Sequence, residues 1–397
     1  MSKQIQDAYI VAATRTAVGK APRGMFRNTR SDDLLAHCIR NLIKQSGVDP
    51  KYIDDAIIGC AMPEGEQGMN MARIAVLLAG LPNTVSAMTI NRFCASGSQA
   101  IGLAADRIRL GEADLMLAGG AESMSMIPMM GSKPAFNPAV FSDENIAIAY
   151  GMGITAEKVA ERWKVSRGDQ DEFSFNSHVK AMAAIAAGEF SSEISPFALD
   201  DHYPDVASGK IITDSRVLST DEGPRKDTTV EGLLKLKPAF SSDGSVTAGN
   251  SSQMSDGAGA VLLASGKAVR EMNLKPLARW VGHCVAGVPP EIMGIGPKEA
   301  IPKLLKQTGV KLDDIDWIEL NEAFAAQALA VMRDSGLNPE RVNPLGGAIA
   351  LGHPLGATGA IRTATIVHAL QRRQLRYGMV SMCIGTGMGF AGLIERV

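Results

Sequence analysis

An α/β protein built from two similar halves, with a long insertion in the first, is the architecture this sequence predicts. Three observations predict it. Strand-like runs alternate with helix-like runs, the pattern of βαβ units and a mostly parallel sheet. The stretch LIKQSGVDPKYIDDAIIG at 42–59 returns as LLKQTGVKLDDIDWIEL at 304–320, so the unit is duplicated and two pseudo-symmetric sheets are expected. Between about 122 and 251 the alternation breaks down, which marks an insertion.

The elements follow in order. MSKQIQDAYIVAATRT runs from a polar leader into a strand, with no apolar core and cleavage site of a secretion signal. Each repeat copy is the end of a helix with lysine in its last turn, a glycine stop, a short acidic link and a strand. A glycine-containing turn and a helix come next, NRFCASGSQAIGLAADRIRLG from 91 and GHPLGATGAIRTATIVHALQRR from 352. Cys94-x-x-Gly97 thus corresponds to His353-x-x-Gly356. Strands running into glycines close both units, ADLMLAGGAESM from 113 and YGMVSMCIGTGMG from 377. The insertion holds methionine-rich SMSMIPMMG, a helical middle over about 154–188, and polar SFNSHVK and DDHYPDVASGK segments. Large insertions of this kind commonly build ligand sites at the carboxyl ends of strands, so this one is expected to cover a substrate.

Composition narrows the function classes. With 397 residues and 46% hydrophobic content the chain can fill more than one core. A formal net charge of −2 gives no electrostatic reason to expect nucleic acid or an anionic membrane surface. No apolar stretch approaches the roughly 20 residues of a membrane span. Cys38, Cys60, Cys94, Cys284 and Cys383 are an odd count without a CxxC pair, which argues against a disulfide framework and a zinc site. Free thiols and no address motif point to the cytoplasm.

Apolar Ile101, Ala104, Ala105 and Ile108 at helical spacing put Cys94 at or just before a helix N-terminus. There the helix dipole is expected to lower the thiol pKa and favour a reactive thiolate. His353 precedes Pro354, a favoured first helical residue, so it too stands at a helix start. If the halves pack around a pseudo-twofold axis, nucleophile and base meet. Cys383 ends an apolar strand, and Gly385, Gly387 and Gly389 after it can aim backbone N–H groups at an oxyanion. Gly387-x-Gly389-x-x-Gly392 matches the dinucleotide fingerprint, but too little chain follows for the helix and strand that motif requires. In NEAFAAQALAVM, Asn321 is the candidate to hold a water or carbonyl, and Glu322 the candidate for a structural role.

Taken together, NRFCASGSQA, GGAESMS, NSSQMSDGAGA, NEAF, GGAIALGHPLGATGA and CIGTGMG resemble the thiolase family, in order and over nearly the whole chain. The resemblance implies a duplicated five-layer α-β-α-β-α fold, with an N-terminal half over 1–272, the inserted loop domain at about 122–251 and a C-terminal half over 273–397. It implies acyl-CoA:acetyl-CoA C-acyltransferase activity of the 3-ketoacyl-CoA type, serving fatty-acid β-oxidation. Cys94 is then the nucleophile, His353 its base and Cys383 the acid/base. The N–H groups of Cys94 and Gly385 form one oxyanion hole, and His353 with a water held by Asn321 the other. Coenzyme A is a co-substrate and no permanently bound cofactor or metal is implied. Its contacts are carried to Arg225, Leu236, Phe240, Ala248 and Ser252, with Met152, Met293 and Phe324 near the reactive end. Arg225, Lys226, Lys235 and Lys237 are candidates for the phosphates, with a solvated face as the alternative for the lysines.

The sequence departs from many relatives at Ala95, Ser98 and Thr386, the last replacing a common glycine. Gly151 stands where biosynthetic acetoacetyl-CoA thiolases often have histidine, and the segment between Met130 and Met152 is short. Both lean toward a dimeric, degradative enzyme. A dimer of dimers and a β-oxidation partner subunit remain open. The alternatives are a biosynthetic acetyl-CoA C-acetyltransferase, a thiolase-like CoA- or lipid-binding protein without turnover, and a β-ketoacyl synthase, which would be expected to carry a second histidine in place of Cys383.

Overall fold

The structure is a computed structural model that describes residues 5–397, so the first four residues of the polar leader lie outside the described residues. The chain opens with β1 (Ala8–Arg15), the short β2 (Gly19–Lys20) and α1 (Ser31–Ser46). Lys44 occupies the last turn of α1, and Gly47, at φ 69°, ends it by donating its N–H to the Ile43 carbonyl. Next come β3 (Asp55–Gly59), α2 (Met71–Leu78), β4 (Ser86–Ile90), α3 (Ser96–Arg109) and β5 (Leu115–Ser123). The inserted part contains α4 (Met152–Arg162), α5 (Arg167–Ala186), β6 (Phe197–Asp205), β7 (Lys210–Leu218) and α6 (Val230–Leu234). The chain returns through β8 (Ser255–Ser265), α7 (Gly266–Glu271) and β9 (Ala278–Gly287). Then follow α8 (Gly296–Thr308), β10 (Trp317–Leu320), α9 (Ala325–Ser335), α10 (Ala348–Leu351), α11 (Leu355–Arg373), β11 (Tyr377–Ile384) and β12 (Met388–Arg396). Helix α8 repeats the ending of α1, with Lys306 in its last turn and Gly309 at φ 72°.

Three apolar cores define five layers. One joins α1 and α2 to the outer face of β1, β3, β5 and β8. Another joins α8 and α9 to β10, β11 and β12. Between them, α3 and α11 share a core with inward residues of both halves, among them Ile57, Met116, Val261, Trp280, Val380 and Phe390. Each sheet face thus buries apolar side chains against a helical layer, the condition that makes such layers stable.

Two expectations are corrected. The sheet is mixed, not mostly parallel: β3 pairs parallel with β4 and β5, and β10 with β11, whereas β8 runs antiparallel to β1 and β5, and β12 antiparallel to β9 and β11. The reason lies in the connections. β8 follows the insertion and β12 follows a tight turn at 385–387, and neither connection is the helical crossover that makes strands parallel. The two half-sheets are also continuous, in the order β10-β11-β12-β9-β1-β8-β5-β3-β4, because Ala8, Tyr9 and Ile10 pair with Trp280, Arg279 and Ala278.

The helical middle of the insertion is two helices, and SFNSHVK lies inside α5 rather than after it. Ser166 caps α5 by accepting from the Asp169 N–H at 3.1 Å, which starts a new helix after Lys164 at φ 51° breaks the first. DDHYPDVASGK supplies most of β6 and the turn that leads into β7. The glycines 387, 389 and 392 belong to a hairpin turn and to β12, where no helix follows.

Candidate active site

The starts of α3 and α11 approach more closely than side chains would permit. A Cβ on Gly97 would lie 2.8 Å from the Gly356 carbonyl oxygen and 2.9 Å from the Ala360 nitrogen. One on Gly359 would collide with the backbone nitrogen of Ser98. Glycine at these points lets the two helix starts meet, and with them the residues just ahead. Cys94 stands in the turn Phe93–Ala95 immediately before α3. Phe93 holds φ at 44°, an uncommon conformation for a residue with a side chain, and so turns the following cysteine out of the path of the helix. Cys94 packs against a small apolar cluster of Ala61, Met124 and Leu355, and Leu355 is two residues beyond His353.

His353 lies in the gap between α10 and α11 and is buried. Its backbone N–H faces the Gln253 carbonyl and Ser255 Oγ, each at 3.1 Å. Ring Nδ1 is 2.6 Å from Thr358 Oγ1, whose hydroxyl donates to the Pro354 carbonyl at 2.9 Å. The Thr358 oxygen therefore accepts from Nδ1–H, which leaves a lone pair on Nε2. Asn321 Nδ2 lies 3.2 Å from Nε2. Burial first, and the Arg362 charge second, push the His353 pKa down to about 3, so the resting ring is neutral.

The backbone N–H groups of Gly385 and of Cys94 itself act to lower the Cys94 pKa. The expected low thiol pKa is nevertheless not found: burial outweighs these donors and pushes Cys94 up to about 11. The resting group is a thiol, and a base must remove its proton. Cys383, second from last on β11, is fully buried, and burial together with the nearby Cys94 raises its pKa as well. Around it Met152, Met293 and Phe324 form one apolar cluster with Ala156, Val246 and Ala323. Met152 Sδ would be 3.6 Å from a Cβ on Gly385.

The residues carried over for coenzyme A lie outward of this cluster. The Phe240 ring stands edge-on to Phe324 at 6.1 Å between centroids. Phe240, Leu236 and Ala248 are exposed, and Ser252 donates its N–H to the Ala323 carbonyl at 2.9 Å. Arg225 is exposed with its Nε 3.6 Å from Asp227, while its backbone N–H donates to His178 Nδ1 at 3.2 Å. Lys226, Lys235 and Lys237 are likewise exposed.

Sequence reading passed over three supporting residues. Thr358 orients the histidine ring. Glu122, buried at the end of β5, accepts from the N–H groups of Ala61 and Gly356 and from Gln67 Nε2, tying the first half to the start of α11. Buried His178 anchors the Arg225 loop, and burial pushes its pKa down to about 4. Spacing contained one usable signal: Thr358 is five residues past His353, on the same helix start. Glu322 is structural, accepting from Ser177 Oγ at 2.7 Å, Asn343 Nδ2 at 2.8 Å and the Ile349 N–H at 3.2 Å.

A duplicated five-layer α/β fold with a buried histidine and two cysteines at its centre defines a class of acyl-transfer enzymes, and the comparisons with known proteins agree. Residues 8–267 match the family "Thiolase, N-terminal domain" and residues 274–396 match "Thiolase, C-terminal domain". The chain belongs to the thiolase family. It is 50% identical over 397 residues to a 3-ketoacyl-CoA thiolase of Bacillus subtilis (strain 168), covering 98% of this chain and all of that one. It is 46% identical over 394 residues to the peroxisomal 3-ketoacyl-CoA thiolase 2 of Arabidopsis thaliana, covering 98% of this chain and 84% of that one. The crystal structure of the Bacillus anthracis acetyl-CoA acetyltransferase superposes with a TM-score of 0.90 at 39% identity, covering both chains fully.

Proposed function

We infer that this chain is an acyl-CoA:acetyl-CoA C-acyltransferase, a 3-ketoacyl-CoA thiolase that uses coenzyme A to cleave 3-oxoacyl-CoA into acetyl-CoA and a shortened acyl-CoA. The observation that carries this reading is the meeting of two helix starts, Cys94 just before α3 and His353 just before α11, brought together through Gly97 and Gly359. The Gly385 and Cys94 N–H groups favour the Cys94 thiolate, and a neutral histidine whose Nε2 lone pair faces the Asn321 amide stands at the neighbouring helix start.

In the reaction we propose, His353 takes the Cys94 proton and the thiolate attacks the 3-oxo carbon. The new oxyanion lies against the two N–H groups. The bond between C2 and C3 breaks, its electron pair moves into the acetyl-CoA enolate, and Cys383 protonates C2. The enolate oxygen faces His353 and a water held by Asn321. The proton on His353 then returns to Cys383, the thiol of a second coenzyme A attacks the Cys94 thioester with its proton passing to His353, and the shortened acyl-CoA leaves as His353 reprotonates Cys94. Two charges develop on two different oxygens, which is why two sets of donors are needed. Phe240, Leu236, Ala248 and Ser252 would line the pantetheine and nucleotide, with the guanidinium of Arg225 near the phosphates.

We read the enzyme as a cytoplasmic homodimer. Supporting the dimer is the edge strand β4, whose exposed Met88 continues a surface that holds Leu77 and Leu78 of α2 and Met69, which is 94% exposed. An apolar edge of this kind needs cover, and a second copy supplies it. Five free thiols fit a reducing compartment.

Thiolysis of 3-oxoacyl-CoA substrates from four to sixteen carbons, followed by loss of the enolate absorbance, tests the function. Cleavage of medium chains that vanishes in Cys94→Ala is the expected result. Activity confined to acetoacetyl-CoA would instead assign acetyl-CoA condensation, and tight coenzyme A binding without cleavage would assign a binding protein.

A further inference from the structure

Beneath the histidine lies a second tie between the same two elements. Ile318 and Leu320 of β10 enter the outer core of the second half, and Trp317 enters the central one. By alternation Glu319 and Asn321 leave the chain on the central side, where α11 packs. On α11, Thr358 and Arg362 are four residues apart and share one face. The ring of His353 is held between the upper members of these two pairs, Asn321 and Thr358. The lower members also meet: Arg362 Nη1 lies 3.7 Å from Glu319 Oε2, with the side chains only 5% and 1% exposed. Glu319 Oε1 accepts from Trp317 Nε1 at 2.7 Å, which fixes its other oxygen toward Arg362.

Resting on the reading of His353 as the base, we propose that Glu319 and Arg362 are a positioning pair: they hold strand β10 and helix α11 at the separation that aligns the His353 ring with Asn321, and the Arg362 charge lowers the basicity of that ring. The titratable groups on the surrounding elements are Cys94, Cys383, Glu122, Glu319 and Glu322, and Arg362 is the cation whose field reaches the ring. Glu193, bonded to Arg15 and to Thr365 of α11, adds a further negative charge that acts on Glu319. A buried pair of this sort is weak as a source of stability but strong as a constraint on geometry and field.

The test is the pH profile of kcat/KM for thiolysis in the wild type, Glu319→Gln, Arg362→Met and the double variant. Loss of the cation makes the ring easier to protonate, so Arg362→Met is expected to move the acid limb to higher pH. Burial lifts the Glu319 carboxyl to about 7, so it is largely protonated along the acid limb, and Glu319→Gln is expected to leave the limb in place while kcat drops several-fold with KM unchanged. The Arg362→Met shift is on the order of half a pH unit, and the double variant keeps it. Arg362→Lys retains the charge without the planar fork, so kcat should drop several-fold with the limb in place and KM unchanged. Should Arg362→Met not fold, Glu319→Gln and Arg362→Lys carry the same test. An Arg362→Met profile that coincides with the wild type, or Glu319→Gln and Arg362→Lys variants with wild-type kcat, would overturn the proposal. His353→Gln separates the two levels of inference: if it retains wild-type thiolysis, the base assignment fails, whereas if it is inactive while the profiles coincide, only the positioning pair fails.

Discussion

The side-chain amide of Asn321 meets Nε2 of His353 at 3.2 Å, and its own oxygen is buried with no hydrogen-bond partner among the described residues. An orphaned acceptor costs about 1–3 kcal/mol, which a bound water or substrate group would offset. Asn321→Ala should therefore lower kcat by about 10²–10³-fold, the usual loss for one oxyanion donor, with little change in KM. Steady-state thiolysis checks it, and a loss confined to KM would contradict the assignment.

The two cysteines should separate in half-reactions. Cys383→Ala is expected to keep exchange of an acyl group between coenzyme A molecules through Cys94, while cleavage of the carbon–carbon bond falls by about 10²–10⁴-fold, the range for a lost general acid. Cys94→Ala should lose both. Trapping the acyl-enzyme by mass spectrometry in each variant distinguishes them, and an acylated Cys94→Ala protein would refute the nucleophile.

Acid should destabilise the fold through the buried histidine. The folded ring has a pKa of about 3, below the ordinary 6.5, so the unfolded chain binds the extra proton between those values. Stability then falls as pH drops through 6.5 toward 3. His178, pushed down to about 4, acts in the same direction. Between pH 7 and pH 5, His353→Gln should remove about 2 kcal/mol of this loss. Denaturant unfolding at the two pH values measures it, and an equal loss in both proteins would count against a neutral buried ring.

Gly97→Ala should destabilise the protein by about 2–4 kcal/mol, because the added methyl meets the backbone of Gly356 and Ala360, which cannot rotate away. Activity should drop out of proportion to stability, since the displaced helix start carries Cys94. Thermal unfolding alongside thiolysis tests this, and a wild-type melting temperature would show that the helices are free to separate.

Thr386→Gly should do the reverse. Thr386 is held at φ 65° beside the Gly385 donor, a conformation that is costly for a β-branched residue. Glycine is expected to relieve about 1 kcal/mol of strain, seen as a higher melting temperature.

Much of the architecture was legible because it repeats. The lysine-bearing helix ends at Gly47 and Gly309, and the matched Cys94-x-x-Gly97 and His353-x-x-Gly356, are local signals, since capping, dipole and periodicity act over a few residues. Strand direction was not legible. The antiparallel entry of β8 and the β11–β12 hairpin depend on how connections fold back, which hydrophobic runs do not encode. The split between α4 and α5 turned on one backbone conformation at Lys164.

The chemical types at the site were determined by the sequence: two cysteines, one histidine and an asparagine, each at the edge of a strand or helix. Their electrostatic states were decided by the tertiary structure. A helix start alone would lower the Cys94 pKa, but desolvation by both halves raises it, and the same burial drives His353 the other way, to a neutral base. Desolvation depends on everything packed around a group, and most of what surrounds these residues comes from segments hundreds of positions away in the chain.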